Sequence, residues 1–163
     1  MASDFFLEID GIKGESTDDK HKDQIEVLSY SCGVSQPVSA ASRTGGRTGG
    51  RADFQNFTIT KTIDMASPDL MLHCANGKHI PKITFECCLA TEDKHTFHKI
   101  EMKDVIVSSV SPSGSAQSSE NKPLETVSFA YAEIKMTYTP ISSDGKPGGS
   151  VDRTWNLAEN KQA

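Results

Sequence analysis

The sequence predicts a mainly β protein: a single antiparallel β-barrel of two packed sheets, with one short α-helix and an extended loop, spanning residues 1–163 as one domain. Three observations carry this. Apolar residues recur mostly at a period of two, which is the strand period. One segment, opening at Ser67-Pro68-Asp69, carries the start signals of a helix. The apolar stretches are parted by segments rich in Gly, Ser and Pro, which punctuate strands. With 36% hydrophobic and 24% charged residues, the composition suits a loop-rich β protein better than a helical bundle. A chain of 163 residues buries a core without disulfides or metal.

In chain order, Phe5, Leu7 and Ile9 alternate with Phe6, Glu8 and Asp10, a strand with one wetter face. Gly11 to Asp23 holds glycines and a run of charges and reads as a connecting loop. In IEVLSYSCGVSQ, Leu28, Tyr30, Cys32 and Val34 fall on one face, expected to be packed. Ser29, Ser31, Gly33 and Ser35 fall on the other, where an ordinary solvent-facing strand would carry Lys, Glu or Arg. A run of serines suits a surface that meets water at close quarters without gripping what lies near it.

Residues 37–52, PVSAASRTGGRTGGRA, hold four glycines and three arginines and read as a long flexible loop of the kind that is functional or disordered. A strand resumes over Asp53 to Asp64, with a phase change between Phe54 and Phe57 that suggests a bulge. Ser67 is placed to cap the helix, Pro68 suits its first position and Asp69 favours its positive end. Leu70, Met71 and Cys74 are expected to share its packed face, and Gly77 to end it in the left-handed conformation. Ile83, Phe85, Cys87 and Leu89 form the next strand, a turn spans Thr91 to Lys94, and strands follow through Phe97–Val110. After a polar loop at 111–123 come Val127–Tyr131 and Ile134–Tyr138, with a bulge expected near Ala132, then a turn at Gly145–Gly149 and a last strand through Trp155. The sum is about seven strands and one helix, without repeats or linkers.

Most chemistry finds no motif. Gly45 and Gly50 have phosphate-loop spacing, but Arg51 and Ala52 stand where Lys and Ser/Thr are required, with no helix following. Cys32, Cys74, Cys87 and Cys88 lack metal-type spacing and read as free thiols. His21, His73, His79, His95 and His98 form no ligand pair and read as solvated. There is no G-x-S-x-G elbow, and paired carboxylates such as Asp18 and Asp19 sit in loops. No catalytic residue, metal or cofactor is expected. A net charge of −5 and a basic loop without interleaved aromatics argue against nucleic acid. The N-terminus lacks the basic and apolar regions of a secretory signal, and no run approaches the roughly 18 apolar residues of a membrane helix.

Four blocks then carry a resemblance along nearly the whole chain. FFLEIDGIKGESTDDKHKDQIEVLSYSCGVSQ (Phe5 to Gln36) holds a G-E-S loop between two strands, and FQNFTITKTIDMASPDLMLHCANGKHIP (Phe54 to Pro81) holds a T-K-x-x-D strand end, an S-P helix start and a G-K-H-x-P turn. MKDVIVSSVSPSG (Met102 to Gly114) and LETVSFAYAEIKMTYTP (Leu124 to Pro140) complete the set. In this order and spacing they resemble the Hcp family, the haemolysin-coregulated proteins of type VI secretion systems, themselves similar to phage tail-tube proteins. The resemblance implies a non-enzymatic tube subunit: a β-barrel with a short helix, six subunits per ring, rings stacked into a tube. It implies as partners the protein itself, the VgrG spike, the contractile sheath and effectors carried in the lumen. It implies export from the cytoplasm to the extracellular space or a target cell without a cleavable signal peptide. No fused toxin domain and no membrane insertion are expected. Under this resemblance Ser29, Ser31 and Ser35 are candidates for the lumen wall, the alternative being that they face bulk water outside. Arg43, Gly45, Gly46, Arg47, Gly49, Gly50 and Arg51 are candidates for a loop crossing a subunit or ring boundary. The competing reading is a monomeric β-barrel that binds a small ligand.

Overall fold

The structure, a computed structural model, describes residues 2–38, 49–117, 119 and 122–163. Its elements run β1 (Ser3–Ile9), β2 (Ile25–Val27), β3 (Ser29–Ser31), β4 (Val34–Ser35), β5 (Asp53–Phe54), β6 (Phe57–Thr62), α1 (Ser67–Asn76), β7 (Ile80–Leu89), β8 (Thr96–Ser113), β9 (Leu124–Ala130), β10 (Glu133–Tyr138), β11 (Val151–Asn156) and β12 (Lys161–Gln162). All pairings are antiparallel. A first sheet has the order β12-β11-β10-β8-β7-β1-β2, and a second pairs β3, β6, β9 and β8. The two share β8: residues up to Val105 pair with β7 and β10, and those from Ile106 pair with β9. An 18-residue strand is long for a globular protein. A register shift between Val107 and Ser109 provides the bend that lets it serve both sheets.

The core lies between the sheets. Leu7, Ile25, Ile83, Phe85, Ile100 and Met102 come from the first, and Ile59, Phe57, Val127 and Phe129 from the second. Leu70 and Ala66 close it from the helix side, where α1 packs on β8. Gly77 ends the helix at φ 66°, as its lack of Cβ allows.

The structure departs from the sequence reading at several places. The phase changes at Phe54/Phe57 and near Ala132 are not bulges but sheet changes: among the described residues β5 pairs only with β4, and β9 and β10 belong to different sheets. The bulges fall at Cys87/Cys88 and Val107/Ser109. The packed face expected for Leu28 to Val34 holds only in its middle, since Tyr30 and Cys32 are half-buried while Leu28 and Val34 are 57% and 58% exposed. The chain leaves one sheet for the other at Leu28, so alternation fails there. On α1, Leu70 is buried but Met71 is 64% exposed. Ser67 does not cap the helix; Ala66 holds that position without a side-chain bond. The Ser67 hydroxyl instead donates to Glu125 Oε1 at 2.9 Å and accepts from Lys61 Nζ at 3.1 Å.

The segment Gly11 to Asp23 is not a loose loop. Gly14 N–H donates to Asp23 O at 2.8 Å, Ser16 N–H to Gln24 O at 3.0 Å and Asp23 N–H to Ser16 O at 2.9 Å. A Cβ on Gly14 would stand 2.4 Å from the Gln24 carbonyl oxygen and 2.7 Å from Ile25 Cα. Both obstacles are backbone and cannot rotate away. Gly14→Ala is therefore expected to destabilise the chain by about 1–3 kcal/mol, read as a lower urea midpoint; an unchanged midpoint would show that this approach relaxes freely. His21, at the end of the segment, is 4% exposed, against the expectation of a solvated ring. It stacks on Phe6 with centroids 4.2 Å apart.

Candidate functional site

The outward faces of the two sheets differ in chemistry. In the second sheet Ser29 lies opposite Thr60, and Ser31 opposite Thr58. Thr58 then meets Ser128 and Thr60 meets Thr126; beyond them Ser109 meets Ser128 and Ser111 meets Thr126. Alternation puts all of these on one side, because their neighbours Phe57, Ile59, Val127 and Phe129 are buried on the other. The result is a field of hydroxyls four strands wide. Thr58 Oγ1 and Ser128 Oγ share a hydrogen bond of 2.9 Å, and Ser108 Oγ donates to Ser128 O at 3.0 Å.

These strand segments contain two charged residues, Lys61 and Glu125, and both point inward. They are direct cross-strand partners. Lys61 Nζ lies 2.8 Å from Glu125 Oε1 and 2.8 Å from Asp64 Oδ1, and it donates to Thr62 O at 3.2 Å. Lys61 is fully buried. The cluster ties β6, β9 and the start of α1 together through Ser67.

The first sheet carries its charges outward. Lys82–Glu101 at 3.0 Å, Lys99–Glu101 at 3.8 Å, Lys99–Glu86 at 3.9 Å, Lys135–Glu101 at 3.9 Å and Lys135–Asp152 at 3.2 Å form an ion ladder across it. Burial alone would raise the Glu101 carboxyl, but the Lys82 hydrogen bond and the charges of Lys99, Lys82 and Lys135 outweigh it and hold it below the usual carboxylate range.

The serine candidates separate. Ser29 and Ser31 are exposed on β3 within the hydroxyl field. Ser35 is exposed on β4, in the separate two-stranded ribbon with β5. The hydroxyls of β6, β8 and β9 were missed in the sequence, although FTITKT and LETVSFA display the same period-two pattern of Ser and Thr. Among the loop candidates, Arg43, Gly45, Gly46 and Arg47 lie outside the described residues. Gly49 and Gly50 continue the ribbon of β4 and β5: Val38 bridges Gly49, and Gly50 N–H donates to Pro37 O at 3.0 Å. Arg51 Nη2 donates to Leu157 O at 2.9 Å.

Beside this ribbon lies an apolar groove of about 450 Å³ lined by Cys32, Val34, Phe54, Ile134, Met136 and Trp155. Tyr131 also borders it, donating its hydroxyl to Gln55 O at 2.9 Å. Burial, with Cys32 nearby, pushes the Tyr131 phenol up to about 12, and burial raises the Cys32 thiol. In the core, burial and the neighbouring Cys87 push the Tyr30 phenol up to about 12. Burial is also the main reason the Cys87 thiol rises to about 11. These groups are neutral near pH 7, which suits packing rather than acid–base chemistry.

Known proteins match this architecture closely. A family model for the type VI secretion system effector Hcp matches residues 6–138. The chain is 39% identical to Protein hcp1 of Pseudomonas aeruginosa over 165 aligned residues, covering 100% of both. It superposes on a solved type six secretion system protein with a TM-score of 0.94 at 36% identity, covering 99% of this chain and 100% of that one. On Hcp1 from Salmonella typhimurium the TM-score is 0.82 at 36% identity, with 100% of both chains covered. No helix among the described residues is long and apolar enough to cross a membrane. Matched over its full length in sequence and in fold, the chain belongs to the Hcp family of type VI secretion proteins.

Proposed function

We propose that this chain, acting as one unit over residues 1–163, is a non-enzymatic subunit of a type VI inner tube. Six copies form a ring, rings stack, and the hydroxyl face of the second sheet lines the channel. The observation that carries this is the absence of outward charge from four adjacent strand segments whose two charged residues are both turned inward. A soluble surface ordinarily mixes charges of both signs over about 25–35% of its residues. A wall of hydroxyls holds a hydrated layer, offers no net charge to trap cargo and no apolar patch to bind it. That is what passage of effectors through the channel requires. The charged first sheet then faces outward, towards the surrounding sheath. The residue 37–52 loop reaches a neighbouring subunit or ring, its arginines meeting carboxylates there. The VgrG spike is the partner at the tip, and the route out of the cell is the type VI apparatus itself.

Light scattering of the purified chain, with negative-stain images of the same peak, tests the assembly. Annular particles of about six subunits are expected, with stacking that weakens as salt screens the loop arginines. A monomer at high concentration overturns the reading. Orientation is tested with gold-labelled cysteines in a background where Cys32 and Cys74 are replaced by alanine. Ser31→Cys is expected to place gold at the centre of the annulus and Lys99→Cys at its rim. The reverse pattern would move the hydroxyl face to the outside.

A further inference from the structure

One end of the outer face of the first sheet is covered by the Gly11–Asp23 segment, and there three ligand-type groups converge. Glu86 and Cys88 are two residues apart on β7 and share a face. His21 descends on them from the covering segment. Its Nε2 lies 2.6 Å from Glu86 Oε2 and 3.6 Å from Cys88 Sγ. Its Nδ1 faces Asp18 Oδ1 at 3.1 Å. Among the described residues this is the one group of three or more His, Cys, Asp or Glu ligand atoms lying within 4.8 Å of one another.

Cys88 Sγ and Glu86 Oε2 both lie within hydrogen-bond reach of the same ring nitrogen, close enough to share one ion. A single ring nitrogen has one lone pair or one proton, yet a thiol and a carboxylate both approach Nε2. We propose that His21 Nε2, Cys88 Sγ and Glu86 Oε2 form a binding site for a divalent transition metal of the zinc type. Imidazole, thiolate and carboxylate are the zinc donor set. With bond lengths of that set, the nitrogen and sulfur of a tetrahedral site lie about 3.6 Å apart, which is the separation here. The nitrogen and carboxylate oxygen lie about 3.4 Å apart in such a site, so Glu86 must swing outward by less than about 1 Å. Its side chain is one-fifth exposed, and besides His21 it meets Lys99, on its far oxygen at 3.9 Å.

The surroundings suit that role. Asp18 accepts from the ring's other nitrogen, which orients the imidazole with Nε2 inward, as carboxylates behind metal-bound histidines do. Asp18 is itself held by Lys94 at 3.3 Å. Phe6 stacked on the ring forms a dry wall, and Thr96 Oγ1 lies 3.4 Å from Cys88 Sγ. Binding sends the Cys88 thiol proton to solvent and leaves a thiolate and a carboxylate to balance the dication. A fourth position is left on the Glu86 side for water. Because His21 belongs to the segment and the other two ligands to β7, the metal staples the segment to the sheet. This inference does not rest on the tube reading, and a monomeric chain would test it equally well.

Cobalt titration of the reduced, tag-free chain tests it. One equivalent of Co²⁺ is expected to give a thiolate-to-cobalt charge-transfer band, displaced by Zn²⁺. Cys88→Ala removes the band and Cys74→Ser retains it. Glu86→Gln, at the partly exposed edge, keeps the band at weaker affinity. Asp18→Asn weakens Zn²⁺ binding about 10-fold or more. Folding of each variant is checked by circular dichroism, and Cys88→Ser replaces Cys88→Ala if the latter does not fold. No thiolate band from the folded parent chain in excess Co²⁺, or a band that persists without the Cys88 thiol, overturns the proposal.

Discussion

Lys61→Met is expected to destabilise the chain by about 3–5 kcal/mol, the range for removing one partner of a buried ion pair. The ammonium is fully buried and is surrounded by Asp64, Glu125, Ser67 and the Thr62 carbonyl. Without it, two carboxylates with side chains 9% and 3% exposed face each other with no counter-charge. Glu125 keeps the Ser67 hydroxyl and Asp64 keeps the Ala66 N–H, but neither neutral donor replaces an ammonium. The start of α1 loosens with the cluster, since Ser67 belongs to both. Urea unfolding at constant slope reads the change. The double variant Lys61→Met/Glu125→Met is expected to recover part of the loss, because an apolar pair of similar size needs no counter-charge. A single-variant loss below about 1 kcal/mol, the range of exposed pairs, would mean that water reaches the cluster.

That cluster marks where the sequence was legible and where it was not. Period two placed most strands, Pro68 sits in the first turn of the helix that Ser67-Pro68-Asp69 announced, and Gly77 ends it. The motif T-K-x-x-D with S-P was recognised only as a pattern. Its physical content is a buried Lys61–Asp64–Ser67 network completed by Glu125, 64 residues after Lys61 in sequence. Local reading puts charges on the wet face of a strand; here the long-range partner reverses that rule. The serines of β3 were visible because they are consecutive alternates, but their extension across β6, β9 and β8 needed the register. Sheet changes at Leu28, Asn56 and Ala132 produce the same phase slip as a bulge, so the sequence alone cannot tell the two apart. His21 was read as solvated because it has no ligand-type spacing to another His or Cys; Phe6 and Glu86 cover it from strands on either side of it in the chain.

The sheets themselves are coupled through aromatic rings, and Phe85→Ala is expected to cost about 3–5 kcal/mol. Phe85 belongs to the first sheet and is fully buried. Its ring meets Tyr30 at 4.5 Å, Phe57 at 5.1 Å and Phe5 at 5.9 Å between centroids. Tyr30 and Phe57 belong to the second sheet, so this one side chain fills the space across which the sheets hold together. A cavity there has rigid walls on both sides and collapses poorly, which favours the upper part of the range. Phe85→Leu should cost far less, because most of the volume is kept. In a domain whose total stability is about 5–15 kcal/mol, the alanine variant stands near the threshold as a lone subunit. The ring proposed above would change that outcome in a readable way. A ring binds folded subunits and not unfolded ones, so it stabilises them by mass action. The melting temperature of Phe85→Ala should therefore rise with protein concentration, in parallel with that of the parent chain, because both gain the same association energy. A melting temperature that is the same at every concentration would show that the lone subunit's fold, and not its neighbours, sets its stability.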